Sequence, residues 1–78
     1  FELAAITYSV YPNPAKDVIN ITPFKANDRL SIYNNIGQEV LSSIANQVDI
    51  SSLPSGVYLM IITDQSSDIP SYHKFIKE

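Results

Sequence analysis

The chain of 78 residues holds one histidine, His73, and no cysteine. Disulfides and thiol chemistry are therefore excluded. A serine nucleophile would need one of the many serines beside His73 and an Asp, yet no serine lies in the Gly-x-Ser-x-Gly turn that exposes such a nucleophile. A metal at His73 would need carboxylate partners. Asp64 and Asp68 are near in sequence, but their spacing matches no metal pattern, and no segment reads as a calcium loop. No catalytic, cofactor-binding or metal-binding residue is assigned, and so small a chain has little room for a concave site. The expected class is a non-enzyme without a cofactor. Net charge is −3, from five Lys or Arg against eight Asp or Glu. The only basic grouping is Lys74 with Lys77, which argues against nucleic acid as a partner. Asn20-Ile21-Thr22 fits a glycosylation sequon, but it falls inside a strand pattern.

The elements that must carry these residues are short strands recurring about every ten residues, as in a sandwich. Residues 6–11 alternate and are dense in β-formers. Pro12-Asn13-Pro14 ends that strand, because neither proline can donate to a ladder. Residues 17–22 follow, with Ile19 and Ile21 on one face, and residues 29–33 come next, with Leu30 and Ile32 on one face. Asn34-Asn35-Ile36-Gly37 reads as a type I turn closed by a left-handed Gly37 that adds a bulge. Residues 38–44 return, with Val40 and Leu41 as the main apolar positions, and residues 47–50 form a short strand. Residues 64–70 are polar and read as a loop before the last strand, 72–77.

The segment Leu53-Pro54-Ser55-Gly56-Val57-Tyr58 is the strongest fold signal. Pro54 fixes its φ and supplies no N–H, while Gly56 can take the positive φ of a tight corner. The unbroken apolar run 57–62 suggests a strand buried on both faces, with Leu59 and Ile61 inside alongside Tyr58, Ile32 and Ile19. Tyr58 at the strand start can pack its ring inward while its hydroxyl returns to loop backbone, the tyrosine corner of immunoglobulin-like domains. The expected fold is all-β, a seven-strand antiparallel Ig-like Greek-key β-sandwich. It forms one domain over residues 1–78, with 1–5 a linker from a preceding domain. Phe1 is not an initiator Met, so the chain is expected to be cut from a longer polypeptide. The longest apolar run is too short to span a bilayer as a helix, and the N-terminus lacks a signal-peptide pattern.

Four segments in this order resemble one family. They are Val10-Tyr11-Pro12-Asn13-Pro14-Ala15, then Leu30 through Val40 with its Asn34-Asn35-Ile36-Gly37 turn, then Val48 through Tyr58, then Lys74-Phe75-Ile76-Lys77. Together they are similar to the C-terminal sorting domain of the type IX secretion system, found on cargo of Bacteroidetes, over about residues 10 to 77. The resemblance implies a signal rather than an activity: the module directs an N-terminal passenger across the outer membrane and is normally cut off afterwards. The implied partners are the outer-membrane translocon and its shuttle, and a sortase-like cysteine peptidase. The implied location is the periplasm in transit, then the cell surface or the medium. By residue, Pro12, Asn13 and Pro14 fall on the first motif, Gly37 on the hairpin glycine, Leu53, Gly56 and Tyr58 on the corner, and Lys74 and Lys77 on the basic last strand. The chain departs from the pattern in the glycine-free loop 64–70 and in ending at Glu78.

Recognition by partners is expected at Pro12, Asn13, Pro14, Lys74, Phe75 and Lys77. The two lysines are expected to project to solvent while Phe75 packs inward, leaving an exposed edge open to β-augmentation. The plainer alternatives are that the proline loop is a rigid connector and that the lysines protect an edge strand. Gly37, Gly56, Leu53 and Tyr58 are read as structural. The rival function is an adhesive or carbohydrate-binding sandwich appended to an extracellular enzyme, with Tyr8, Tyr11, Tyr33 and Tyr72 as its platform. A third is a passive spacer of fibronectin type III shape.

Overall fold

The structure is a computed structural model and describes residues 8–25, 28–64 and 70–78. Among the described residues there are seven strands: β1 (Ser9–Tyr11), β2 (Val18–Thr22), β3 (Arg29–Tyr33), β4 (Glu39–Ser43), β5 (Gln47–Asp49), β6 (Gly56–Thr63) and β7 (Ser71–Lys77). They form two antiparallel sheets, ordered β1-β2-β5 and β4-β3-β6-β7. The chain leaves the second sheet after β4, adds β5 beside β2, and returns to place β6 next to β3, a Greek-key path. No helix occurs among the described residues. The first strand is described only from Ser9, so its expected start at Ile6 lies outside the described residues, as does the linker 1–5.

The core lies between the sheets. Ile19 and Ile21 of β2 and Val48 of β5 face Leu30 and Ile32 of β3, Tyr58, Met60 and Ile62 of β6, and Phe75 of β7, all buried. This inward set is the i, i+2 pattern of one pleated face per strand. Asn20, on the opposite face of β2, accepts a bond from Gln47 Nε2 at 2.9 Å and donates to the Tyr11 carbonyl at 3.3 Å.

The apolar run of β6 departs from the expectation. It is buried on one face only: Leu59 and Ile61 are half-buried and Val57 is 47% exposed. Two sheets enclose a single interior, so the alternate residues of β6 cannot also find a covering layer. In β4, Val40 sits in a bulge between the Ile32–Leu41 and Tyr33–Glu39 pairs and is exposed, while Leu41 packs against the core.

The turn chemistry agrees with the local sequence. Gly37 has φ of +86°. Its N–H donates to Asn34 O at 3.1 Å, and Asn34 N–H donates to Gln38 O at 2.9 Å. These two bonds define a type I turn with a glycine bulge. Asn34 Oδ1 also accepts the Ile36 and Gln38 N–H groups, fixing the turn further.

At the corner, Gly56 has φ of +156° and Tyr58 donates its hydroxyl to the Pro54 carbonyl at 2.6 Å. The ring stacks on Phe75, centroids 5.6 Å apart and planes at 20°. Tyr58 thus ties the β5–β6 crossover to the core and to the last strand. Tyr58→Phe keeps the ring and loses the bond, so it should cost about 1 kcal/mol, a fall in melting temperature of about 4–8 °C for a domain of this size. An unchanged thermal midpoint would remove the corner from the account.

Candidate functional site

The chemistry-bearing side chains meet at one end of the sandwich, and they form a polar anchor. Tyr8 donates its hydroxyl to Asp28 Oδ2 at 3.3 Å, and Lys25 N–H donates to the same oxygen at 2.9 Å. Lys25 Nζ pairs with Asp64 Oδ2 at 2.9 Å. Tyr8 meets His73 edge to face, with ring centroids 6.2 Å apart. Burial, seconded by the Asp28 carboxylate, pushes the Tyr8 phenol up. The Asp64 hydrogen bond raises the Lys25 ammonium, and burial lowers the His73 imidazole. Asp28 Oδ1 and His73 Nε2 are both buried without a hydrogen-bond partner. Among the described residues no hydroxyl is bonded to the imidazole, so these residues lack the nucleophile–base contact that acyl transfer needs. Among the described residues no His, Asp and Glu cluster is arranged to hold a metal ion.

The residues singled out for recognition are brought together by the fold. The loop carrying Pro12, Asn13 and Pro14 crosses the outer edge of β7, about sixty positions away in sequence. Asn13 donates Nδ2 to the Lys74 carbonyl at 3.3 Å and accepts the Ile76 N–H on Oδ1 at 3.0 Å. Its side-chain amide thus pairs with β7 as the backbone of a neighbouring strand would. The next contact is backbone: Ala15 N–H donates to Ile76 O at 2.7 Å, and Glu78 N–H donates to Ala15 O at 2.8 Å. Ala15 is fully buried and forms an isolated parallel bridge with Lys77. The peptide bonds before Pro12 and Pro14 are both cis, and all three residues of the motif are exposed.

Three expectations are corrected here. Lys77 does not project to solvent; it is 8% exposed. Residues 75 and 77 share a face of a strand, so Lys77 follows Phe75 inward and lies cross-strand from Gly56. Its apolar stem is covered while Nζ reaches the Glu78 main-chain oxygen at 2.9 Å. Lys74, on the other face, is exposed and is the cation the last strand displays. The edge of β7 is also not free along its length. Asn13 and Ala15 occupy the outward groups from the Lys74 carbonyl to the Glu78 amide. Phe75 is wholly buried and available to no partner in the folded state.

Neither the clasp nor the part played by Ala15 was visible in the sequence. The one local hint is an asparagine held between two prolines, a side chain with both donor and acceptor where the neighbouring backbone has no N–H to give.

The family profile of the secretion system C-terminal sorting domain matches residues 9–78. No curated protein matches the chain. A solved structure of PorZ, an essential bacterial surface component of the type-IX secretion system of Porphyromonas gingivalis, is similar in fold. It aligns with a TM-score of 0.74 at 21% identity, over 91% of this chain and 11% of that one. The chain therefore spans about a tenth of the length of that relative. With nearly its whole length matched, the chain belongs to the C-terminal sorting domains of the type IX secretion system. Such a domain is a signal, not itself a catalyst, and it marks a protein for the cell surface or the extracellular space.

The polar anchor carries a pH signature. His73 is an ordinary 6.5 imidazole in the unfolded chain and lower in the folded one. The unfolded state therefore binds the proton more readily, and stability is complete above about pH 6.5 and falls as the pH drops toward the folded value. The thermal midpoint should fall on acidification through that window, and His73→Phe should flatten this step. A midpoint in wild type that is level from pH 7.5 to pH 5, approximate bounds set by the imidazole range, would contradict it.

Proposed function

We propose that the chain directs an attached N-terminal passenger across the outer membrane through the type IX translocon. The surface read is the clasp itself: Pro12, Asn13 and Pro14 lying on the outer edge of β7, with Lys74 beside them. The observation that carries this reading is the pair of bonds from Asn13 to Lys74 O and Ile76 N–H. Two family motifs from opposite ends of the chain are thereby held at fixed spacing, as a recognition patch requires. In this reading Lys74 gives a partner a local positive mark on an otherwise acidic domain. Phe75 and Lys77 serve from inside, by holding β7 in place.

Family membership supports the remaining steps of this reading. The whole chain, 1–78, is one module, with residues 1–5 leading from the passenger. A shuttle delivers it from the periplasm to the translocon, and a sortase-like cysteine peptidase removes it. The sugar-binding rival loses ground on geometry. Of its four tyrosines Tyr8 is buried, and Tyr11 stands on the other sheet from Tyr33 and Tyr72, so the four do not share one platform.

The test fuses the domain to a reporter with a signal peptide, in a host that has the machinery. Point variants are needed, because removing the end of β7 would also remove core Phe75. Lys74→Glu and Asn13→Ala, each confirmed folded by circular dichroism, should lower surface delivery by about tenfold, the effect of roughly 1.4 kcal/mol at a recognised contact. If both folded variants are delivered at the wild-type level, the clasp is structural and recognition lies elsewhere on the domain.

A further inference from the structure

Among the described residues none covers the outer face of the four-stranded sheet, and its residues are not arranged at random. One row across the strands reads Glu39, Tyr33, Leu59, Lys74 on β4, β3, β6 and β7. The next row reads Ser42, Ser31, Ile61, Tyr72 on the same strands. Tyr33, Leu59 and Ile61 are half-buried at the middle, while Tyr72 is 62% exposed and stands up at one margin. At the opposite margin an open hollow lies among Arg29, Ser31, Glu39, Ser42 and Ile44. The face is therefore a strip of apolar residues with Glu39 and a hollow that Arg29 also lines on one side, and Lys74 and a protruding ring on the other.

Such a face is complementary to itself under one rotation. A two-fold axis running along the strands, between β3 and β6, exchanges β4 with β7 and keeps each row at its own height. Lys74 of each copy then faces Glu39 of the other, Tyr72 enters the hollow around Ser42, and Tyr33 meets Leu59. An axis across the strands keeps β7 against β7 and β4 against β4, so Lys74 cannot meet Glu39; only the first arrangement pairs the opposite charges. We propose that this face pairs with a second copy of the chain in an isologous, sheet-on-sheet contact.

The aligned packing of two sheets needs an apolar middle, and Tyr33, Leu59 and Ile61 supply it. Among the described residues the Lys74 ammonium has no partner within its own chain, while Glu39 meets only the Tyr33 hydroxyl, at 3.4 Å. Two rows across four strands span only about 14 Å by 7 Å, a small contact beside the roughly 800 Å² per partner of a standard stable interface, so the dimer is a weak one. It would form where copies are concentrated, and it is independent of the export reading because it needs no secretion component.

Sedimentation equilibrium on the 78-residue chain, between about 10 μM and about 1 mM, brackets a contact of this strength. Reversible dimerisation is expected. Lys74→Glu or Glu39→Lys alone should weaken it by about tenfold or more, since each places two like-charged pairs in the contact. The double variant should restore it. Ser42→Tyr, which fills the hollow, should abolish it with the fold intact by circular dichroism. A carbodiimide, which joins an amine directly to a carboxylate, should link Lys74 to Glu39 between isotopically distinct copies. Within one chain these residues are three strand spacings apart, about 14 Å, too far for that link. A monomer throughout the concentration range, or failure of the double reversal to restore association, overturns the proposal.

Discussion

Two sheets have one interior between them, and this constraint shapes everything else in the molecule. Each strand can bury only every second residue. The rule sends Tyr58, Met60 and Ile62 inward and leaves Val57, Leu59 and Ile61 on the outer face, which no other described residues cover. It also sends Lys77 inward behind Phe75 and leaves Lys74 as the displayed cation. A thin core cannot tolerate a loose edge, and β7, the last strand, has its outer edge closed by the chain's own first loop. Asn13 and Ala15 take the place that a further strand would fill. The two ends of the sorting domain thereby become one surface.

The structural role of the proline loop and the signalling role proposed for it need not be separate. A loop that must lie in one conformation to pair with β7 is already rigid, and a rigid loop presents a partner with little ordering cost. The same strand shows both sides of the balance. Its C-terminal half is closed by the clasp, and its free face carries Lys74. Edge closure protects against strand-to-strand aggregation while leaving Lys74 exposed.

Much of the fold was legible because it rests on local chemistry. The alternation of Ile19 with Ile21 and of Leu30 with Ile32, the Gly37 turn and the Tyr58 corner each follow from neighbouring residues, and the structure has all of them. What was not legible depended on non-local placement. A run of six apolar residues looks the same whether one face or both are covered, so the half-exposure of Leu59 and Ile61 could not be read from it. The inward turn of Lys77 was available from the period of two alone, but a lysine at a core-facing position is read as exposed unless that period is followed strictly. Of the site, the motifs could be seen and their meeting could not. Nothing near Asn13 tells that its amide will find Ile76, which lies at the other end of the chain.

The central claim is that Asn13 holds the first loop and the last strand together as one unit. Amide hydrogen exchange at Ile76 measures this most directly, because that N–H donates to Asn13 Oδ1. In Asn13→Ala the Ile76 amide should exchange about fivefold faster or more, the equivalent of a net hydrogen bond of about 1 kcal/mol. Core amides such as that of Met60 should be less affected. An Ile76 amide equally protected in wild type and variant would mean that the edge is held without Asn13, and the account of a single composite surface would fail.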